Sequence, residues 1–289
     1  MKLSMEQPVA ASFPTSEHSS GALQTGVKVL GHVLVAGRRI ILPLLLAALV
    51  ALAWEYGTQA AHLSTLIIVP PSAVWKVLER SIGILWLQTI PTVTETLTGF
   101  ALASIVGLAL GSALVMSKRV RQTLYPHLLL FQLIPKVALA PLFIVWFGVG
   151  PTSRLSLAVF MAFFPIVIST VAGLMSADSG ALRMARSVTA STWQIFYSVQ
   201  FPFALPHIFA GLKIGVTMAM IGVIVGEFVT AQAGLGYIIM MASSAADTAL
   251  AFAAIGLLCA AGLILYGAVS LLEWLIERRM GISITSNEF

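Results

Sequence analysis

The chain has 289 residues, of which 58% are hydrophobic and 9% charged, with a formal net charge of +5. Soluble domains hold about 45–50% apolar and about 25% charged residues, so a soluble globule is excluded: too little charge remains to coat its surface. The single cysteine, Cys259, lies in an apolar run, which excludes an intrachain disulfide.

Residues 1–26 are rich in Ser, Ala, Glu and His and lack the apolar centre of a signal peptide. Segment 1–37 is expected to be a disordered cytosolic tail, with 27–36, VKVLGHVLVA, as an interfacial helix leading into the first span. A helix needs about 20 mainly apolar residues to cross the hydrocarbon. Six stretches meet that requirement, at 40–60, 90–116, 124–147, 155–175, 207–231 and 249–275. The expected fold is all-α, a polytopic membrane bundle of about six transmembrane helices over 38–279, followed by a cytosolic tail at 280–289.

Between the first two spans, VPPSAVWKVLERSIG predicts a short surface helix within 61–89, capped by Ser72, with Val74, Val77 and Leu78 on one face. The positive-inside rule orients the chain. Arg38, Arg39, Lys118, Arg119, Arg121, Arg183, Arg186, Arg278 and Arg279 fall in one set of loops, and only Lys76, Arg80 and Arg154 in the other. Both termini are therefore expected in the cytosol. The second span carries Gly99, Ala103, Gly107 and Gly111; the fifth carries Gly211, Gly215, Ala219, Gly222 and Gly226. Small side chains at this spacing let helices approach closely. They serve packing within the bundle, a dimer seam or a pore-lining face.

Residues 179–197 predict one amphipathic helix too polar to span. Leu182, Ala185, Thr189, Trp193 and Phe196 share a face, and Arg183, Ser187, Ser191 and Gln194 flank it. Pro202 and Pro206 predict a sharp turn before the next span. Such a helix rests on lipid headgroups or docks a cytosolic partner.

Charges within the spans are functional suspects. Lys136 lies about 18 Å into the third span, between Pro135 and Pro141, where a kink is expected. It lines the passage or belongs to a charge pair. Glu55, Glu95 and Glu227 share a depth near the outer ends of their spans; Glu95 and Glu227 are candidates for the passage, and Glu227 precedes a Gly234–Leu235–Gly236 turn. Glu273 and Glu277 are expected at the inner interface. No G-x-x-x-x-G-K-[ST] phosphate loop occurs. No pair among His18, His32, His62, His127 and His207 has helical metal-ligand spacing, and no nucleophile–base cluster is visible. No enzyme activity, cofactor or metal is expected in the chain itself.

From about Pro70 to Arg279 the sequence resembles binding-protein-dependent ABC importer permeases of the type I fold, in the nitrate, sulfonate, taurine and thiamine-precursor branch. VPPSAV, GFALASIVGLALGSAL, IPKVALAPLFIVWFGVG, FPFALPHIFAGLKIG, GEF and GLGYII carry the resemblance, in that order. It implies that 176–206 is the cytoplasmic coupling loop. Leu182, Arg183, Ala185, Arg186, Thr189, Trp193, Phe196, Pro202 and Pro206 would form the ATPase-coupling segment, with Trp193 and Phe196 as anchors. The family's loop opens Glu-Ala-Ala and has a glycine four residues on; here stand Arg183, Met184, Ala185 and Thr189, while Leu205 and Pro206 match. Many members carry arginine where this chain has Glu95.

The resemblance further implies a bacterial inner-membrane subunit. Its expected partners are two cytosolic ABC ATPases that bind ATP and Mg, an extracytoplasmic solute-binding protein, a second copy of this chain and membrane lipid, with no nucleic acid. The expected solute is a thiamine-precursor pyrimidine, a sulfonate or a similar small molecule. The alternative is a secondary transporter or channel that works without an ATPase.

Overall fold

The computed structural model describes residues 41–43, 45–60, 68–230 and 232–280. The expected tail at 1–37, the interfacial helix at 27–36 and all of the expected tail at 280–289 except Met280, which closes the last helix, lie outside these residues. The chain divides into two units, Met1–His62 and Leu63–Phe289. The first contributes α1 (Ile41–Ala60), an apolar helix of 20 residues. Within it Gln59 Nε2 donates to Glu55 Oε1 at 2.8 Å.

The second unit is helical throughout its described residues. Its order is α2 (Pro71–Met116), α3 (Lys118–Gln132), a 3₁₀ turn (Lys136–Leu139), α4 (Ala140–Phe147) and α5 (Pro151–Met175). Next come α6 (Ser179–Ser187), α7 (Thr192–Ile195), a π turn (Phe196–Gln200), α8 (Phe201–Thr230), α9 (Leu235–Ser244) and α10 (Thr248–Met280). Among the described residues, five stretches are long and apolar enough to cross a membrane: α1, α2, α5, the run Thr192–Thr230 and α10. The pair α3 and Lys136–Phe147, bent by 85°, makes a sixth if counted as one span. The all-α bundle expected from composition is thus the observed architecture.

Two boundaries differ from the sequence reading. The surface helix within 61–89 and the span 90–116 are one helix of 46 residues with Pro91 inside it. At 1.5 Å per residue it measures about 70 Å, more than twice the hydrocarbon thickness. The expected kink at Lys136 is a full break in the helix.

α5 is the centre of the unit and packs most extensively on α8 and α2. The glycines explain how. A Cβ placed on Gly99 would fall 2.8 Å from Ala158 Cβ, and one on Gly107 2.9 Å from Ile166 Cγ2. Both sequences rise together, so α2 and α5 run parallel. Gly215 likewise meets Ile166, Gly222 meets Ala158 and Gly226 meets Arg154, so α8 runs antiparallel to α5. Ala158 and Ile166 are each met by glycines of both α2 and α8, which also pack on one another. The core cluster of Ala103, Ala158, Ala162, Ile166, Ala219 and Val223 fills the layer between. Both glycine stripes therefore serve close packing inside one protomer.

This packing sets an unequal tolerance to a single methyl group. At Gly222 the added Cβ would lie 2.7 Å from the Ala158 Cα, a backbone atom that cannot rotate away, whereas at Gly256 in α10 nothing lies within 4 Å. Gly222→Ala is expected to destabilise the purified protein by about 1–3 kcal/mol. Gly256→Ala should be neutral or stabilising by up to about 1 kcal/mol. Thermal unfolding of the two variants side by side checks both.

Candidate functional site

The coupling segment and a buried polar cluster lie at opposite ends of the α5 axis. The first follows the C-terminus of α5, and the second surrounds its N-terminus.

The coupling segment is two helices. Asp178 Oδ2 accepts from Ala181 N at 2.7 Å and starts α6. Thr189, with φ 56°, ends it by placing a β-branched residue in the left-handed region. Ser191 and Gln194 then form a capping box that starts α7: Gln194 N donates to Ser191 Oγ at 3.3 Å, and Ser191 N to Gln194 Oε1 at 2.8 Å. The single helix expected over 179–197 is therefore broken, and Leu182 and Ala185 sit on a different helix from Trp193 and Phe196. Thr189 occupies the position where related loops carry glycine. Its positive φ supplies the physical reason for that glycine, and threonine adopts it at a cost of about 1–3 kcal/mol.

The sharp turn expected at Pro202 and Pro206 is also absent. Helix continues from Thr192 to Thr230, 39 residues. The π turn makes this possible: Phe201 N donates to Phe196 O, one residue further back than in an α-helix. The widened turn precedes Pro202, which has no N–H to give and whose ring would crowd a regular preceding turn. α7 is thus the first turn of a rod that leads directly into α8, with α6 attached to it through the break at Thr189.

Their side chains divide clearly. Phe196 is buried at 8% exposure against Leu174, Ala204 and Ile208 of its own protomer, so it is a core residue, contrary to the expected role of partner anchor. Trp193 is 64% exposed and meets Phe196 edge to face, with ring centroids 5.7 Å apart. Met184 at 73% and Val188 at 69% are more exposed still, and Arg183, Arg186 and Thr189 are also exposed. Leu182, Ala185, Pro202 and Pro206 are half-buried.

At the other end, Glu227 has no exposed surface. Its Oε1 accepts from Thr92 Oγ1 at 2.6 Å, and its Oε2 from Gly236 N at 2.7 Å. Thr92 Oγ1 in turn accepts from Leu235 N at 2.9 Å, and Gln88 Oε1 from Gly234 N at 2.7 Å. The carboxyl group of α8 and two side chains of α2 thus satisfy three successive amides at the start of α9, where the helix dipole favours an acid. Gly234 has φ 102°, and a Cβ there would collide with the Glu227 carboxyl group. Beside this junction Arg154, 3% exposed, forks onto Glu95, with Nε to Oε2 at 2.8 Å and Nη2 to Oε1 at 2.6 Å. Its Nη1 donates to Thr230 Oγ1 at 3.2 Å.

These contacts correct the roles expected for two acids. Glu95 and Glu227 do not line an open mouth in the protomer; they fasten α2, α5, α8 and α9 together. Arg154, expected in a loop, is a buried ion-pair partner. Lys213 lies in the apolar span of α8, where no local pattern marks its partner. It pairs with Glu273, joining α8 to α10, and lies 5.8 Å from the Tyr266 ring centre. Glu273 is therefore a bundle residue rather than an interfacial one. Lys136 stands where α3 breaks. Its Nζ donates to Gln132 O at 3.3 Å and lies 5.3 Å from the Phe164 ring centre, with no ion pair among the described residues.

Residues 99–280 match the family described as binding-protein-dependent transport system inner membrane component. The chain is 39% identical over 229 residues to the riboflavin transport system permease protein RibX of Chloroflexus aurantiacus, covering 78% of this chain and 85% of that protein. It is 31% identical over 231 residues to the formylaminopyrimidine transport permease protein ThiX of Halalkalibacterium halodurans, covering 80% and 92%. With the taurine transport system permease protein TauC of Escherichia coli it shares 32% over 215 residues, covering 71% and 78%. Among solved structures, a chain of the inward-facing MetNI methionine ABC transporter superposes with a TM-score of 0.61 at 19% identity, over 68% of this chain and 98% of that one. The chain belongs to the inner-membrane permease family of binding-protein-dependent ABC importers. It is a multi-pass transport subunit without an ATPase domain of its own, and membership implies an ATPase and a binding protein as partners.

The polar junction predicts a specific coupling of mutational effects. Glu227→Ala strands the Gly236 amide in a buried site, leaves the Thr92 hydroxyl only the Gln88 carbonyl at 3.3 Å, and should cost about 1–3 kcal/mol; Glu227→Gln, which keeps an acceptor, should cost less. Gly234→Ala should be strongly destabilising alone and less so in the Glu227→Ala background, where the collision is gone. Thermal denaturation of the four proteins as a double-mutant cycle checks this; additive losses would contradict the junction.

Proposed function

We propose that two copies of this chain form the passage of an importer for a small organic solute, and that α6 and α7 receive the motion of the ATPase. The observation that carries the coupling assignment is the exposed apolar set Met184, Val188 and Trp193 on a short, individually capped helix pair. It is mounted on the 39-residue rod that ends at the polar junction. A push delivered at α7 would reach the far side through continuous helix. Differential binding of the ATPase to alternate states then supplies the shift in equilibrium. Orientation follows from the basic loops: the coupling end faces the cytosol with both termini, and the polar junction faces outward.

The break after α3 supports a passage formed with a second copy. Leu133, Ile134 and Val137 around the break are exposed in the protomer, at 78%, 36% and 53%. Non-helical backbone at membrane depth is tolerated only where protein covers it or water fills a cavity beside it. A second copy and the passage between the two would meet both conditions. Lys136, which holds a carbonyl freed by the break, would then border that space. The solute class rests on relatives named for riboflavin, formylaminopyrimidine and taurine transport. We assign a small heteroaromatic or sulfonated molecule, selected mainly by the separate binding protein.

Truncating the exposed anchors should separate docking from folding. Trp193→Ala with Met184→Ala is expected to weaken ATPase co-purification by roughly 30-fold, as loss of about 2 kcal/mol at an interface implies, and to leave the unfolding temperature unchanged. Phe196→Ala should instead lower protomer stability by about 3 kcal/mol. Retained ATPase binding and solute-stimulated hydrolysis in the double variant would refute the docking assignment.

Lys136→Met is expected to reduce uptake of the cognate solute while assembly with the ATPase persists. Uptake by inverted or right-side-out vesicles, measured against complex recovery, checks it. Equal uptake would leave Lys136 with the capping role alone.

A further inference from the structure

At the end of the bundle that carries α6, a cavity of about 430 Å³ opens between the last turns of α2 and α5, the first turn of α3 and the α6–α7 pair. Three cations converge on its wall, Lys118 and Arg121 from α3 and Arg186 from α6, and no carboxylate lines it. None of the three is in a salt bridge among the described residues. Their placement opposes the local field. Lys118, Arg119 and Arg121 occupy the first turn of α3, where the helix dipole is positive and cations are disfavoured. Positive side chains and a positive helix end facing one concavity repel each other unless an anion sits among them.

The rest of the wall says which anion. It includes Met116, Met175 and Ile195. Met116 and Met175 are the last residues of α2 and α5, two membrane-length helices, so the cavity lies where hydrocarbon gives way to headgroups. A free anion or an acidic side chain would meet the cations and leave the apolar half uncovered. A phospholipid meets both halves: its phosphodiester faces Lys118, Arg121 and Arg186, and the first methylenes of its chains lie on Met116, Met175 and Ile195. Basic pockets between membrane helices on the cytoplasmic side bind such headgroups, and the volume is within the usual range for small-ligand sites.

We propose that this cavity holds the headgroup of an anionic membrane phospholipid, which pins the start of α3 to the end of α6 and braces the coupling helices from the membrane side. Met184 and Trp193 of the proposed ATPase-docking set do not line the cavity, while Leu182 and Arg186 of the same helix pair form part of its wall from the bundle side.

The test uses the permease assembled with its ATPase in nanodiscs of phosphatidylcholine doped with phosphatidylglycerol, with retained lipid read by native mass spectrometry. Wild-type protein should carry phosphatidylglycerol in preference to phosphatidylcholine. The pair Lys118→Gln and Arg121→Gln should retain roughly thirtyfold less, while the charge-conserving pair Lys118→Arg and Arg121→Lys, and the remote Arg80→Gln, should retain it. Wild-type and neutralised proteins carrying equal phosphatidylglycerol would overturn the proposal. So would displacement of the lipid by inorganic phosphate, which marks a free-anion site. Loss of the ATPase with the lipid retained would overturn it too, because it marks an acidic partner residue.

Discussion

The close approach of three helix backbones, α2, α5 and α8, is the constraint on which the other features depend. Lipid tails offer no hydrophobic advantage to helix association, so membrane bundles hold together through packing at short range. Here the glycines of α2 and α8 press on the same residues of α5, Ala158 and Ile166, and the three helices pack on one another. That shared contact fixes the register of a parallel pair and an antiparallel pair at once. A slip of either partner would bring bulky side chains where only glycine fits.

The fixed register determines what meets at each end. At the N-terminus of α5 it brings Arg154 to Glu95 of α2 and Thr230 of α8, and sets Glu227 within reach of the start of α9. Four elements are thereby tied by groups that leave no buried amide unpaired at the α9 start. At the C-terminus of α5 it brings Leu174 against Phe196 and Ala204, which seats the coupling pair on the bundle. The same core thus links the exposed α7 surface to the polar junction along one continuous rod.

Several of these features were legible in the sequence. Composition and apolar run length gave the membrane bundle, because the bilayer imposes a length rule that a single chain must obey. The glycine spacing showed that helices approach closely, though not which ones, since a stripe names no partner. Other features were hidden for identifiable reasons. Pro202 and Pro206 read as breakers, yet a π turn let the helix pass, and such a turn leaves no residue pattern. Thr189 has little propensity for the left-handed region, so the break between α6 and α7 was visible only as a missing glycine. Glu95, Arg154 and Glu227 are separated by up to 132 positions, and their pairing depends on a register that no local pattern encodes. Lys213 sits in an apolar run and pairs across helices, with Glu273, in the same way.

The central claim is that the α6–α7 pair and the polar junction occupy opposite faces of the membrane, joined by a rigid core, with the coupling pair inside the cell. The most direct measurement is sidedness of labelling in intact cells, with Cys259→Ser as background and single cysteines introduced by Met184→Cys or Thr152→Cys; both positions are exposed. An impermeant maleimide added from outside should label the Thr152→Cys protein and spare the Met184→Cys protein until the membrane is opened. Labelling of the Met184→Cys protein in intact cells would contradict the account.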